Sequence, residues 1–451
     1  MWATVARNGI YPDSRGGLLH AGLFSDFNAE RKIQTAYGVS AAGYLTQREN
    51  KAIIDELFVS LKWRKIRLDL GMIHPEEQFN GISSQNGSIL LSTNARTLPG
   101  YNLHTEFIDV PLTKGILSFK FNLSDYRMID KRFVDNTNLH HKSLYLRITP
   151  HPQWAVTFGL EHWAQWAGKS PLYGKQPSRF KDYLRIFAGI SGGDDATWSD
   201  QVNVLGNHLG SRYYRLDYRG DRYTLSAYYD NLFDDDRPLK LFRNAPDGVY
   251  GFYYGTTDKK RWVSDVMYEF VYTKYQSGRY HDRPATPEEL EKQDPDRPWY
   301  GHVILGGNDN YFNNGEYRSG WTYYGRTIGT PFITPCPPAA DGITYGVYNN
   351  RVVAHYWGVQ GYAAGKVPYR VRLSYSRNYG MYFPGFQADL GLPTGPFERV
   401  RQQFSFGIEA TVFNRPSAPF LIRVGLYGDC GSLYRDNFGI TVSLIRYGKI
   451  L

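Results

Sequence analysis

Residues 212–230 read RYYRLDYRGDRYTLSAYYD, a stretch in which apolar and polar side chains alternate on both sides of a turn. Before the turn, Tyr214, Leu216 and Tyr218 alternate with charged residues, and after residues 220–221 every second side chain is again apolar. A period of two is typical of a strand with one apolar face, and a Gly-Asp pair is typical of a tight turn. The stretch therefore predicts a β-hairpin.

The same period recurs along most of the chain. Apolar residues occupy alternate positions in the segments 117–123, 154–160, 369–375, 404–412, 420–426 and 438–444. The 451 residues include 46 Gly and 37 Tyr but only 5 Met, a composition that favours pleated strands and tight turns over helices. The sequence therefore predicts an all-β protein.

Hydropathy excludes one class of membrane protein but not another. The mean hydropathy is -0.48, and no stretch of the sequence holds the roughly 18 consecutive apolar residues that a membrane-spanning helix needs. A strand of a membrane barrel needs only about 9 to 11 residues, and only every second one must be apolar. A transmembrane barrel therefore remains compatible with this polar chain.

A two-layer sandwich also alternates, and three features favour a transmembrane antiparallel β-barrel over it. The polar partners include many charges and long amides, which suit a wet lumen. Tyr and Trp often lie at strand ends, as in the aromatic girdle of an outer-membrane barrel. Short turns, such as residues 220–221, alternate with long connections, which we expect to be extracellular; these lie at residues 162–210, 231–262 and 379–402.

The strand count is about eighteen, an even number as in bacterial outer-membrane barrels. We predict strands near residues 2–8, 18–26, 34–46, 53–62, 65–72, 102–109, 115–123, 143–149, 153–161, 211–219, 222–230, 265–274, 352–362, 367–378, 404–413, 420–428 and 437–447. One further strand is expected between residues 276 and 350. Residues 1–451 are expected to form a single barrel domain, with loop-rich inserts near residues 162–210, 231–262 and 276–350.

One short helix is predicted at residues 286–293, TPEELEKQ. Thr286 is placed to cap it, Pro287 occupies the first helical position, and Glu289 completes a capping box. We interpret it as a surface helix in a long connection, with a docking element as the alternative.

Motifs for catalysis and for cofactors are missing from the sequence. It contains no phosphate loop, HExxH, paired CxxC or G-x-S-x-G, and we predict no enzymatic activity and no cofactor. His140-His141 is a poor metal pair, because adjacent side chains on a strand point to opposite faces. Asp234-Asp235-Asp236, near Asp230, is a candidate calcium loop, but its spacing fails the EF-hand pattern and favours a solvated acidic loop.

The termini and the cysteines bear on the compartment. The first residues, MWATVARNGIYP, lack a basic segment followed by an apolar run, so a barrel with this sequence is expected to be the mature chain after signal-peptide removal, in the bacterial outer membrane. Cys336 and Cys430 fall in predicted loops, and a single disulfide between them is compatible with an oxidising compartment. Two cysteines alone do not decide whether they pair.

The charge balance favours acidic partners. The formal net charge is +9, which suits acidic polysaccharide or the phosphates of lipopolysaccharide in the surrounding lipid. Basic residues spread through alternating strands make a poor nucleic-acid footprint, so we predict no nucleic-acid partner.

Two loop regions concentrate groups that suit sugar binding, which needs flat rings for pyranose faces and amides or arginines for hydroxyls and carboxylates. The candidate residues are Trp163, Trp166, His208, Tyr311, Arg318, Trp321 and Arg326. Loop packing or girdle anchoring is the alternative for the tryptophans. Three further arginines are predicted to face the lumen: Arg215, Arg370 and Arg372. The alternative to ligand binding for these three is that they balance carboxylates across the lumen.

Three runs carry a resemblance to a known family. They are NDNYFNNGEYRSGWTYYGRTIGTPFITP at residues 308–335, GLEHWAQWAG at residues 159–168 and LGNHLG at residues 205–210. The chain resembles the Wzi-type outer-membrane capsule-assembly family over most of its length, most strongly from about residue 150 to 334, and the long run is the more specific. It departs from that family in showing no multi-helix bundle, so the presence of a periplasmic plug is open.

The resemblance implies an eighteen-stranded outer-membrane barrel that acts as a lectin-like organiser, binds exported acidic capsular polysaccharide and attaches it to the cell surface without catalysis. A diffusion porin and a scaffold with protein partners in a surface complex are the alternatives. For residues 308–329 we expect an ordered loop that folds inward or across the barrel mouth. We favour a role in plugging the pore over direct sugar binding for this loop.

Overall fold

The computed structural model describes residues 1–12, 15–202, 204–234, 244–278, 283–292, 299–300, 303–304, 309–414 and 418–448. Its main element is an 18-stranded antiparallel sheet. The strands are β1 Gly16–Phe24, β2 Ile33–Thr46, β3 Asn50–Trp63, β4 Ile66–Met72, β5 Gly100–Thr105, β6 Ile108–Asp109, β7 Leu117–Arg127, β8 Asn138–His151, β9 Trp154–Trp166, β10 Asn207–Arg219, β11 Tyr223–Asp234, β12 Gly248–Thr256, β13 Asp265–Tyr272, β14 Val352–Ala363, β15 Val367–Gly380, β16 Pro396–Asn414, β17 Leu421–Gly431 and β18 Asn437–Ile445.

Apart from β5 and β6, which do not pair with each other, each strand pairs with its neighbour in the chain, from β1 with β2 to β17 with β18. Strands β5 and β6 both pair with β7, so together they form one crossing of the sheet. The predicted fold class, an antiparallel barrel of about eighteen strands, is confirmed.

Because consecutive strands run in opposite directions, the connections alternate between the two ends of the sheet. One end, the short-turn side, carries the connections 25–32, 64–65, 110–116, 152–153, 220–222, 257–264, 364–366 and 415–420. The other end, the long-loop side, carries the connections 47–49, 73–99, 128–137, 167–206, 235–247, 273–351, 381–395 and 432–436. The longest connections, 73–99, 167–206 and 273–351, all lie at one end, as predicted, but the three-residue connection 47–49 lies there too, and the predicted loop 231–262 is divided by β12.

Two strand predictions were wrong. Residues 2–8 do not form a strand but lie inside the barrel, where Trp2 is fully buried. No described residue between 276 and 350 joins the main sheet; the missing strand is β12, inside the predicted loop 231–262. The remaining strands are short pairs outside the main sheet: Lys169–Ser170 with Gly174–Lys175, Arg283–Pro284 and Trp299–Tyr300 with Val303–Ile304, Thr322–Tyr323 with Arg326–Thr327, and Thr334–Pro335 with Val347–Asn349.

Helices are short and confined to connections. They are α1 Phe180–Ala188, α2 Trp198–Val202, α3 Pro287–Lys292 and two 3-10 turns, Phe79–Gly81 and Ala388–Leu390. Among the described residues, none of these helices has the length and apolar character needed to cross a membrane. Helix α3 has the predicted capping box, because Glu289 N–H donates to Thr286 Oγ1 and Thr286 N–H donates to the Glu289 carboxylate. Gln293 lies outside the described residues.

The outward face of the sheet is apolar and its short-turn end is aromatic. On β9, outward Trp154 and Phe158 are exposed, whereas inward Thr157 and Trp163 are buried. Aromatic residues gather at or near the short-turn end of the strands, at Trp63, Trp154, Tyr218, Tyr223, Trp262 and Tyr369. The ring centroids of Trp154 and Tyr218 are 4.7 Å apart. This arrangement matches the expected aromatic girdle.

Three inner segments, residues 1–12, 73–99 and 309–350, lie against the inward face of the sheet. Trp2 Nε1 donates to Ser374 Oγ on β15 (3.0 Å), Tyr356 Oη on β14 donates to the Ile82 carbonyl (2.7 Å), and Gln165 Nε2 on β9 donates to the Gly320 carbonyl (2.9 Å). Strands from different parts of the sheet thus contact the same interior, so the sheet curves around it.

Asp247, in the loop before β12, joins the start of the connection 273–351 to the third inner segment, residues 309–350. Its carboxylate accepts hydrogen bonds from the N–H groups of Tyr275 (2.9 Å) and Gln276 (2.5 Å) and from Tyr311 Oη (2.8 Å). Burial raises the pKa of Asp247 to about 7. The folded carboxyl group therefore keeps its proton at pH values where the unfolded one has lost it.

This shift predicts a pH-dependent stability. Between about pH 4 and 7 the unfolded chain loses a proton at Asp247 that the folded chain retains, so the free energy of unfolding falls as pH rises and levels off above pH 7. Asp247→Asn removes this component. We expect the difference in unfolding free energy, wild type minus variant, to decrease from pH 5 to pH 8 in detergent; an unchanged difference would contradict the assignment.

The two cysteines are both free, so the disulfide considered above does not form in this structure. Cys336 is buried, which raises the pKa of its thiol to about 12, whereas Cys430 is exposed. Thiolate is the reactive form, so we expect a maleimide at neutral pH to modify one thiol in the folded protein and two after denaturation, as counted by mass spectrometry. Two modified thiols in the folded protein would contradict the burial of Cys336.

Candidate functional site

A cavity of about 540 Å³ runs along the inside of the barrel wall. The wall is formed by inward side chains of β4, β5 and β7 to β10, and the opposite side by inner-segment residues between Ile73 and Leu98 together with Ile328. It extends from His74, just after the long-loop-side end of β4, to Phe107 and Arg147 near the short turns. This is the candidate binding cavity.

The cationic end of the cavity lies toward the short turns. Arg67 and Arg215 both line it, and each is neutralised by a carboxylate two residues further along its strand. The nitrogen–oxygen distances are 2.6 Å between Arg67 and Asp69, and 2.8 Å between Arg215 and Asp217. These two arginines therefore form structural ion pairs with aspartates of the wall.

Lys120 and Arg147 differ from these pairs. In the part of the chain that the structure describes, neither is within the 4.0 Å that defines a salt bridge to a carboxylate. Arg147 lies opposite Ser118 in the β7–β8 register, two residues from Lys120, so the two cations are diagonal neighbours on one face. An anion bound between the two side chains could accept charge-assisted hydrogen bonds from both.

Aromatic and amide groups complete the cationic end. The Arg147 guanidinium lies 3.5 Å from the centroid of the Phe107 ring, and its Nε donates to Thr157 Oγ1 at 3.3 Å. Asn122 Nδ2 donates to Asn102 Oδ1 at 2.6 Å, and both amides line the cavity. Cations, amides and rings together can hold a carboxylated sugar by charge-assisted and neutral hydrogen bonds.

Trp163 lines the cavity, but its ring is covered. It lies on β9, not in a loop, and is 1% exposed. His141 stacks on it at 3.7 Å, Tyr126 stacks at 6.4 Å, and Trp321 meets it edge-on at 5.8 Å. Trp163 therefore braces the wall against an inner segment.

Tyr311 and Trp321 are fully buried in the third inner segment. Trp321 Nε1 donates to the Leu90 carbonyl at 2.8 Å, which joins two inner segments. The described part of the 308–329 stretch, from Asp309 onward, therefore lies inside the barrel. Of the two expected positions, inward or across the barrel mouth, this is the first. Asn308 is outside the described residues. Both rings are therefore packed within the interior of the barrel.

Trp166 and His208 lie on the outward face of the wall, beneath helix α1. Trp166 packs with Ile186 and Leu205. His208 donates from Nε2 to the Leu205 carbonyl (2.7 Å) and therefore accepts at Nδ1 from His162 Nε2 (2.8 Å). Neither side chain reaches the cavity.

Arg318 and Arg326 lie on the long-loop side. The Arg318 guanidinium is 5.2 Å from the Phe133 ring centroid and 5.0 Å from that of Phe386, and its Nε donates to the Gly315 carbonyl. Arg326 Nη2 donates to the Tyr11 carbonyl at 3.1 Å. Both side chains are partly exposed, so Arg318 is the predicted residue best placed for a ligand from the long-loop side.

Arg370 and Arg372 project into the other half of the lumen. Arg370 lines a separate cavity of about 140 Å³, where its Nε donates to Gln360 Oε1 at 3.1 Å. Arg372 is buried on the same face of β15. The predicted residues are thus distributed over five places, and of them only Trp163 and Arg215 share the large cavity.

The histidine and acidic clusters have protein partners. His140 and His141 point to opposite faces, as expected, with His140 Nδ1 3.0 Å from Asp125 Oδ1. Asp230 accepts a hydrogen bond from Ile89 N–H, and Asp235 and Asp236 lie outside the described residues.

A further cluster, Asp55, Glu56 and His74, brings its ligand-type atoms within 4.8 Å of one another. Both Asp55 oxygens are already hydrogen-bonded, one to His20 (2.9 Å) and one to His74 (2.8 Å). The carboxylate is therefore satisfied within the protein.

Comparisons with known proteins place the fold. The family model described as capsule assembly protein Wzi matches residues 18–285. The solved structure of Escherichia coli Wzi, described as an outer membrane protein involved in group 1 capsule assembly and a carbohydrate-binding β-barrel, is similar at 11% identity with a TM-score of 0.57, over 95% of this chain and 79% of that one. At this identity the likeness shows the fold alone.

Two further solved structures from Pseudomonas aeruginosa are similar at lower scores. OccD3 has 8% identity and a TM-score of 0.42, over 96% of this chain and 88% of that one. OpdL has 9% identity and a TM-score of 0.43, over 95% and 91%. A search of curated proteins gave no match.

Proposed function

This chain belongs to the Wzi family of capsule assembly proteins, and we propose that it binds an acidic capsular polysaccharide and helps to hold the capsule at the cell surface, without catalysis. It is an outer-membrane β-barrel. The observation that carries the proposal is the pair Lys120 and Arg147, two lumen cations on neighbouring strands that form no salt bridge within 4.0 Å in the described residues.

The chemistry of the cavity suits one acidic sugar unit. A carboxylate between Lys120 and Arg147 would accept charge-assisted hydrogen bonds from both side chains. The amides of Asn102 and Asn122 offer donors and acceptors for hydroxyls, and Phe107 offers a ring beside them. The inner segments that occupy the lumen do not favour the alternative of a diffusion porin.

The test is binding of the detergent-solubilised protein to acidic polysaccharide from its own source cell, at low and high salt. We expect saturable binding by wild type that weakens with salt, because it depends on charge. The double variant Lys120→Gln/Arg147→Gln should bind at least about tenfold more weakly, since each charge-assisted hydrogen bond contributes about 1.5 to 3 kcal/mol.

Two further variants distinguish an error in the position of the binding site from an error in the proposed function. Lys114→Gln removes a cation from the turn 110–116 and should leave binding unchanged. Arg318→Gln tests the long-loop side. Loss of binding in Arg318→Gln but not in the double variant would overturn the cavity assignment and keep the function. No binding by wild type at either salt concentration would overturn the proposed function for that glycan.

A further inference from the structure

Helix α1 packs against the outer surface of the barrel wall. Tyr183 Oη donates to Asp125 Oδ2 on β7 at 3.0 Å, and Lys142 Nζ on β8 donates to the Phe187 carbonyl. Asp125 and Lys142 point outward, because Tyr126 and His141, their neighbours along the strands, line the lumen cavity. The helix therefore lies outside the barrel.

An apolar cluster seals the helix to the wall. Ile186 is fully buried and packs with Ala164, Trp166 and Leu205, all of which lie outside the lumen. The helix is also well bounded, since Arg179 N–H donates to Asp182 Oδ2 at 2.9 Å at its start and Gly189 adopts a left-handed conformation, with a φ of 62°, at its end. Its orientation on the wall is thus fixed from both ends.

The other side of α1 presents an apolar stripe to the surroundings. Phe180 is 75% exposed, Leu184 51% and Phe187 43%. Their spacing, i, i+4 and i+7, places them on one helix face. Ile190, just beyond the helix, is also exposed. A contiguous exposed apolar patch of this kind marks an interaction with a membrane or a partner.

The position of the stripe identifies its partner. Further down the same strands, toward the short turns, outward Leu144 and Leu146 on β8 and Phe158 on β9 are exposed, as expected of the lipid-facing band of a membrane barrel. The stripe continues this band at its long-loop end. Arg179 and Lys181 flank it with exposed charges, as at the polar edge of an interfacial helix.

We propose that α1 is an interfacial anchor, which inserts the face formed by Phe180, Leu184 and Phe187 into the boundary between headgroups and acyl chains of the bilayer around the barrel. Amphipathic helices at this boundary bury their apolar face by about 5 to 10 Å. A second copy of the chain is the less suitable occupant, because a stable interface buries at least about 1,000 Å² and one face of a nine-residue helix offers far less.

The test places a nitroxide label at Leu184→Cys in a Cys430→Ser background and reconstitutes the protein in phospholipid vesicles. Collision rates with oxygen, which partitions into the bilayer, and with a water-soluble nickel chelate report the depth of the label. Leu146→Cys serves as the lipid-exposed reference. Leu390→Cys, an exposed leucine in the long-loop connection 381–395, serves as the aqueous reference.

We expect the label at position 184 to lie about 5 to 10 Å below the headgroup boundary, with a nickel accessibility between those of the Leu146 and Leu390 references. Nickel accessibility at position 184 equal to that at position 390 would overturn the proposal. So would spin–spin broadening that disappears on dilution with unlabelled protein, because it would show a second copy on the stripe. No polysaccharide is present, so the result is independent of the proposed binding function.

Discussion

Replacing Trp321 with alanine is expected to lower the free energy of unfolding by about 3 to 5 kcal/mol, the usual cost of deleting a buried tryptophan side chain. Trp321 is fully buried and contacts the rings of Trp163 and Phe312. Its indole N–H is the donor to the Leu90 carbonyl. The variant therefore leaves a cavity and a buried carbonyl without its partner, and it removes one of the hydrogen bonds that join the inner segments 73–99 and 309–350.

The measurement is urea unfolding in detergent, followed by near-ultraviolet circular dichroism. Trp262→Ala is the matched control. Because Trp262 is 63% exposed in the turn 257–264, its replacement should lower the free energy of unfolding only slightly. Trp321→Phe keeps most of the side-chain volume but not the N–H group. Its loss of unfolding free energy should lie between those of Trp321→Ala and Trp262→Ala. A Trp321→Ala variant as stable as Trp262→Ala would show that the inner segments do not depend on this ring.

The partners of Trp321 could not be predicted from its sequence neighbourhood. The stretch 308–329 shows no lasting period of two, which indicates only that it is not a wall strand. Leu90 and Trp163 are far from it in sequence, and tertiary packing alone brings them together. The sequence therefore predicted an ordered loop, folded inward or across the barrel mouth, but not its contacts.

The wall strands were predictable where the lumen face carries charged or amide side chains. Strand β12, GVYGFYYGT, was missed because its inward positions hold Val249, Gly251, Tyr253 and Gly255 in place of charged residues. Apolar and polar side chains then do not alternate, although the pleat does. Residues 2–8 show the opposite error. A few alternating residues there led us to predict a strand, but the chain lies inside the lumen.

The candidate site was partly predictable. A sequence signal that we missed is whether a cation on a strand has an acidic residue two positions away. Residues i and i+2 of a strand share a face, so Arg67 and Arg215 are neutralised by acids two positions away. Lys120 has Ser118 and Asn122 at those positions, and Arg147 has Tyr145 and Thr149. A lumen cation without an acid at i±2 is therefore a candidate for ligand binding. Cross-strand partners still require the register, which the sequence does not supply.

The inner segment 1–12 is held to the wall by a buried ion pair, and breaking this pair gives the second large prediction. The Arg7 guanidinium pairs with the Glu409 carboxylate on β16, and the two side chains are 13% and 11% exposed. Arg7 Nη2 also donates to Tyr427 Oη at 3.0 Å, and Tyr427 Oη donates to Glu409 Oε1 at 2.7 Å. The proximity of Glu409 raises the pKa of Arg7 despite the opposing effect of burial, so the guanidinium remains charged.

Glu409→Gln is expected to cost about 3 to 5 kcal/mol of unfolding free energy, because it leaves the Arg7 charge buried without a counter-charge. The double variant Arg7→Met/Glu409→Gln removes both charges and should recover part of that loss, with a coupling of about 0.5 to 3 kcal/mol between the sites. Urea unfolding of the wild type, both single variants and the double variant measures this coupling. The exposed pair Lys62 and Glu106, 2.6 Å apart on the short-turn side, is the control and should contribute at most about 1 kcal/mol. Strictly additive losses at Arg7 and Glu409 would mean that the segment is held by its apolar contacts around Trp2 and not by the ion pair.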